Sequence, residues 1–133
     1  MRSLAFKTFL LVTFLTALFI PGNVFADTLL ISPPFGTYSQ GQTFSVRIMV
    51  SSQSQAINAV SATLSFPADK LQVTSVSKIG SILNLWVEEP SYSNSSGTVS
   101  LEGVVPNPGF IGSNGTVVTV NFRVISPGTA NLR

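Results

Sequence analysis

Side chains able to do acid–base or coordination chemistry are few in this chain of 133 residues. The acidic ones are Asp27, Asp69, Glu88, Glu89 and Glu102, and histidine and cysteine are both absent. Without imidazole or thiol, Ser-His-Asp and Cys-His nucleophile systems, thiolate sites and imidazole metal sites are excluded together. Carboxylate catalysis remains, and it needs two carboxyl groups facing one substrate. Glu88 and Glu89 are chain neighbours, and on a strand neighbouring side chains point to opposite faces. They therefore make no catalytic pair, and an enzyme built on Glu102 with either of them is the least favoured reading. Asp and Asn residues nowhere take up a calcium-loop spacing, so no metal and no cofactor are expected.

Binding chemistry has more candidates. Trp86 is the single tryptophan, and on an outward strand position it would serve as a binding hot spot or a sugar-stacking platform. Packing into a core is the competing and favoured reading for it. Tyr92 and Phe110 fall in segments read as loops; Tyr92 is a second candidate for stacking on sugar rings, and Phe110 is expected to plug the end of the fold. Asn94-Ser95-Ser96 and Asn114-Gly115-Thr116 match the glycosylation sequon, a motif frequent by chance.

The elements that must position these residues follow an N-terminal leader. Arg2 and Lys7 precede an apolar run from Thr8 to Ile20, then Pro21-Gly22, then Val24-Phe25-Ala26, which is the order of a secretory signal cleaved after Ala26. The run is shorter than the roughly 20 apolar residues of a spanning helix. Without Arg2 and Lys7, five of the seven basic residues remain against five acidic ones, so the mature chain is formally neutral. Arg47, Lys70, Lys78, Arg123 and Arg133 are scattered, which argues against a nucleic-acid surface or an anionic membrane surface. With no cysteine, a secreted domain of this size stands on its hydrophobic core alone.

From residue 27 onward the pattern is that of strands. Thr28 to Ser32 is a short apolar segment. From Thr43 to Ser51, Phe44, Val46, Ile48 and Val50 alternate with Ser45, Arg47 and Met49, which places one face inward and the other in water. Ser51 to Gln55 reads as a polar turn. Val60, Ala62, Leu64 and Phe66 then face inward, with Ala59, Ser61, Thr63 and Ser65 outward. After the turn Pro67 to Lys70, Leu71, Val73 and Val76 mark another strand, and a short one is expected from about Asn84 to Glu88. Ser91 to Gly97 reads as a loop. Val99 and Leu101 point in from the next strand; Val118, Val120, Phe122 and Val124 point in from the last, beyond a loop rich in Pro, Gly and Asn. No apolar period of 3.6 persists past the leader, so the fold class is all-β: an antiparallel β-sandwich of jelly-roll type.

These segments resemble the cohesin domain, the receptor module of bacterial cellulosome scaffolds. The matching stretches are GQTFSVRIMVSS, INAVSATLSFPADKLQVTSVSKIGS and GTVSLEGVVPNPGFIGSNGTVVTVNFRVISPGTANL. The most specific parts are the F-P-A-D-K-L corner at Phe66 to Leu71 and the N-P-G-F-x-G-x-x-G corner at Asn107 to Gly115. The resemblance implies a jelly-roll sandwich of nine strands that holds a dockerin module on the outer face of the sheet built from strands three, five, six and eight. It further implies a chain whose eighth strand only begins at Thr129 to Arg133 and whose ninth is missing. Carried over residue by residue, the partner-binding positions are Ser61, Thr63 and Ser65 on the third strand, with Thr98, Ser100 and Glu102 on the sixth.

The function expected is a secreted, non-catalytic module that captures a dockerin-like protein in an assembly degrading polysaccharide. Because the fold is shared with cellulose-binding modules, direct carbohydrate binding through Trp86 or Tyr92 is the neighbouring alternative. A structural sandwich domain of a cell-surface or adhesive protein is the third.

Overall fold

A computed structural model describes residues 27–133, and all their regular structure is strand. The expected signal sequence falls on residues 1–26 and lies outside the described residues. Seven strands follow in order: β1 (Thr28–Ser32), β2 (Thr43–Ile57), β3 (Ala59–Ser65), β4 (Leu71–Ser77), β5 (Leu85–Ser93), β6 (Thr98–Val104) and β7 (Phe110–Val124). They form two antiparallel sheets, one in the order β1-β2-β7-β4 and the other in the order β3-β6-β5. No helix among the described residues is long and apolar enough to cross a membrane.

Alternation puts the core where the sequence places it. Val46, Ile48 and Val50 of β2, Val118, Val120 and Phe122 of β7, and Leu71 and Val73 of β4 are buried against Val60, Leu64, Val99 and Leu101 of the facing sheet. At the centre, the Phe122 ring stacks on Phe44 at 5.5 Å and meets Phe66 edge-on at 5.3 Å. Such aromatic pairs add to the area that each ring removes from water. Phe66 belongs to the Pro67 corner, so that corner ties the outer end of β3 to the middle of the core.

Several boundaries differ from the sequence reading, each for a local reason. The expected turn at Ser51 to Gln55 is strand: β2 continues to Ile57, with register shifts after Ile48, Val50 and Ser52. The polar run survives there because Ser52, buried, satisfies its hydroxyl by donating to the Gln55 carbonyl. Met49, expected in water, is buried at the first of these shifts. Strand β5 extends to Ser93 instead of ending near Glu88, so Tyr92 lies on a strand. Pro90 is accommodated because β5 is an edge strand whose pairing slips between Glu88 and Ser91.

The Asn107 to Gly115 corner is shorter than expected. Only residues 105–109 cross between the sheets, and Phe110 to Gly115 already belong to β7, where Phe110 pairs with Ile57. The F-x-G-x-x-G spacing has a packing cause. A Cβ on Gly115 would stand 2.6 Å from the Phe110 ring, so the glycine leaves the room in which that ring lies along its own strand.

On the β4/β5 side, the Asn94 amide imitates a missing strand: the Val73 N–H donates to Asn94 Oδ1 at 2.7 Å, and Asn94 Nδ2 donates to the Val73 carbonyl at 3.0 Å. Tyr92 donates its hydroxyl to the Thr74 carbonyl at 3.4 Å, and Lys78 pairs with Glu89 at 2.6 Å. These contacts blunt the β4 edge against pairing with another chain. They also occupy the amide of one sequon, Asn94, whereas Asn114 is exposed. An Asn94→Ala variant leaves both Val73 groups without partners and is expected to lose about 1–3 kcal/mol of stability, measurable as a lower midpoint in urea unfolding.

Candidate partner-binding face

The outer face of the β3-β6-β5 sheet is assembled by register. Strand β3 presents Ala59, Ser61, Thr63 and Ser65 outward because Val60 and Leu64 are drawn into the core. Strand β6 presents Thr98, Ser100, Glu102 and Val104 because Val99 and Leu101 are almost fully buried. Pairing brings Ser61 opposite Glu102, Thr63 opposite Ser100, and Ser65 opposite Thr98. All six residues anticipated from the sequence thus stand together on one face. Thr63 Oγ1 and Ser100 Oγ lie 3.4 Å apart, within hydrogen-bond reach.

Strand β5 extends the face by residues that the sequence did not single out. Leu85 pairs with Val104, Glu88 with Glu102, Ser91 with Ser100, and Ser93 with Thr98. Cross-strand partners share a face, so the surface is ordered in rows across three strands. One row is apolar, Ala59, Val104 and Leu85. The next holds Ser61, Glu102 and Glu88. The last two are Thr63, Ser100 and Ser91, then Ser65, Thr98 and Ser93. Glu88 and Glu102 are the two charged residues in these rows, both negative. As chain adjacency implies, Glu88 and Glu89 do not pair with each other: Glu89 turns to Lys78, while Glu88 stands opposite Glu102 across the strands. Only the position of the pairing slips in β5 could have revealed this, and the sequence carries no clear sign of them.

Trp86 and Tyr92 do not join this face. Their partners are Gly103 and Val99, which are buried on the core side. Trp86 is half-buried and packs against the core, with Lys78 Nζ 5.4 Å from its ring centre. Tyr92 is exposed at the rim of the β4/β5 side, tethered to Thr74. The two rings are thus turned from the flat face, and Phe110, on β7 rather than in a loop, packs against the core.

The groove of about 520 Å³ among the described residues lies between residues 33–38 and 126–132 and is lined by Phe35, Tyr38, Phe44 and Leu132, among others. None of the six face residues lines it. Thr129 to Arg133 form no strand, but Arg133 exchanges two backbone hydrogen bonds with Ser65, at 2.8 and 3.0 Å, at the outer edge of β3. These bonds set the last described residue beside β3, on the edge that β6 leaves free.

The architecture defines a two-layer antiparallel sandwich that presents one flat, hydroxyl-rich sheet face. More narrowly, the chain has the cohesin fold. No protein-family model matches the sequence, and no curated protein matches it. The likeness is in three dimensions. The sixth cohesin of scaffoldin B from Acetivibrio cellulolyticus, solved with a Cel5 dockerin, is 19% identical over 81% of this chain and 80% of its own, with a TM-score of 0.63. A type I cohesin of a cohesin–dockerin complex from Clostridium thermocellum is 11% identical over 80% of each chain, with a TM-score of 0.63. A cohesin from Clostridium acetobutylicum, solved in solution, is 18% identical over 72% of this chain and 68% of its own, with a TM-score of 0.54.

Proposed function

We propose that this chain is a secreted, non-catalytic binding module that captures a dockerin-like protein on the outer face of the β3-β6-β5 sheet. The observation that carries the reading is the convergence of Ser61, Thr63, Ser65, Thr98, Ser100 and Glu102 on one face, in a fold shared with cohesins solved in complex with dockerins. A flat sheet with a rigid core behind it holds hydroxyl donors and acceptors at fixed spacing, which lowers the ordering cost of docking. Glu88 and Glu102 are opposed, yet they stand on an open face and line neither the groove between residues 33–38 and 126–132 nor the smaller one beside β1 and the start of β3. Hydrolysis by such a pair needs a site that seats a sugar and shields it from water, so binding is favoured over catalysis.

Secretion rests on the leader pattern of residues 1–26, and a place in polysaccharide degradation rests on the kinship of the fold with cellulosomal modules. Sugar binding is less well supported, since Trp86 packs on the core side and no flat aromatic platform forms with Tyr92. Calorimetric titration of the protein with a panel of dockerin modules tests the proposal. Saturable 1:1 binding is expected, and absence of heat with every member of the panel would overturn it.

A further inference from the structure

Resting on that docking reading, we infer that the partner presents a lysine or arginine to the Glu88–Glu102 pair and an apolar side chain to the neighbouring row of Ala59, Val104 and Leu85. Glu88 and Glu102 are register partners across β5 and β6. Like charges on directly paired strand positions are unfavourable, and Arg47, Arg123 and Arg133 form no ion pair with either glutamate. Among the described residues the ion pairs are Lys70 with Asp69 and Lys78 with Glu89, and neither glutamate of the pair joins a salt bridge. Neither glutamate therefore has a cationic partner in the free protein.

Beside it the surface changes character abruptly. Leu85 is 63% exposed and Val87, in the pairing slip between Trp86 and Glu88, is 64% exposed. Rows on one face are two residues apart along a strand, which is about 7 Å. A complementary surface therefore carries a cation and an apolar group at about that separation. A protein side chain suits the pair better than a metal ion, because calcium takes 6–8 oxygen ligands and two carboxylates supply four at most. The hydroxyl rows on the other side, Thr63-Ser100-Ser91 and Ser65-Thr98-Ser93, then accept polar contacts. The order of the rows fixes the direction in which a partner lies on the sheet.

Two measurements test this, one of them without a partner. In the free protein, Glu102→Gln removes the repulsion, and the melting temperature is expected to rise by roughly 1–5 °C; no rise or a fall would show the pair to be compensated already and overturn the inference. In titrations with the dockerin panel, Glu88→Gln/Glu102→Gln is expected to weaken binding at least about tenfold. Raising the salt from 50 to 500 mM is expected to weaken the unmodified protein and to leave the double variant nearly unaffected. Equal or tighter binding by the double variant would overturn the charge assignment while leaving the docking face standing. Failure of the unmodified protein to bind any dockerin would overturn the docking reading and this inference with it.

Discussion

Replacement of Phe122 by alanine is expected to cost about 3–5 kcal/mol of stability, the usual range for removing a fully buried aromatic ring. The ring has no exposed surface and stands on β7, which is hydrogen-bonded to both β2 and β4. It touches Phe44 on its own sheet and Phe66 from the end of β3, so its loss leaves a cavity between the layers that neither neighbour can fill without leaving its own contacts. Small domains hold only about 5–15 kcal/mol in total, and no disulfide here limits the damage. The variant is therefore expected to unfold at much lower urea concentration than the parent or to be largely unfolded at 37 °C. Phe122→Leu, which keeps most of the apolar volume, is expected to lose less than the alanine variant. A loss below about 1 kcal/mol in Phe122→Ala would mean that the layers are not held together at this point.

The same alternation that predicts this core made much of the fold legible in the sequence. Val46, Ile48 and Val50, or Val118, Val120 and Phe122, are unambiguous because one face is dry and the other wet, and a slip by one residue would bury Arg47 or expose Phe122. Legibility failed where pairing departs from strict alternation. Ser51 to Gln55 has the composition of a turn but lies in a strand, because bulges and one internal hydroxyl bond absorb its polarity. The end of β5 was hidden in the same way by Pro90.

The candidate face shows the same division. Ser61, Thr63, Ser65, Thr98, Ser100 and Glu102 were readable because β3 and β6 alternate cleanly and pair without a slip. The contribution of β5 was not, since two register shifts decide that Glu88, and not Glu89, meets Glu102. Asn94 illustrates a further limit. Its sequence context advertises a sequon, whereas its work is to close the β4 edge through Val73, a partner 21 residues away.

The core and the face are consequently separable by mutation, which gives the second large expected effect. Ser100 lies on the central strand of its sheet, between Thr63 and Ser91, in the middle of the hydroxyl rows. Ser100→Arg puts a long cation where a docking surface must approach closely. Its side chain projects outward, away from Val99 and Leu101, so stability is expected to stay within about 0.5 kcal/mol of the parent. Dockerin binding is expected to fall by at least about a hundredfold, equivalent to roughly 2.8 kcal/mol, because the intruding group holds the two surfaces apart and repels a basic partner. An arginine at Arg123, which already lies exposed on β7 of the other sheet, supplies the contrast: Arg123→Ser is expected to leave binding unchanged. Titration and urea unfolding of the two variants side by side separate the outcomes. Loss of binding with unchanged stability in Ser100→Arg places the dock on the β3-β6-β5 face, and undiminished affinity in that variant would remove this face from consideration.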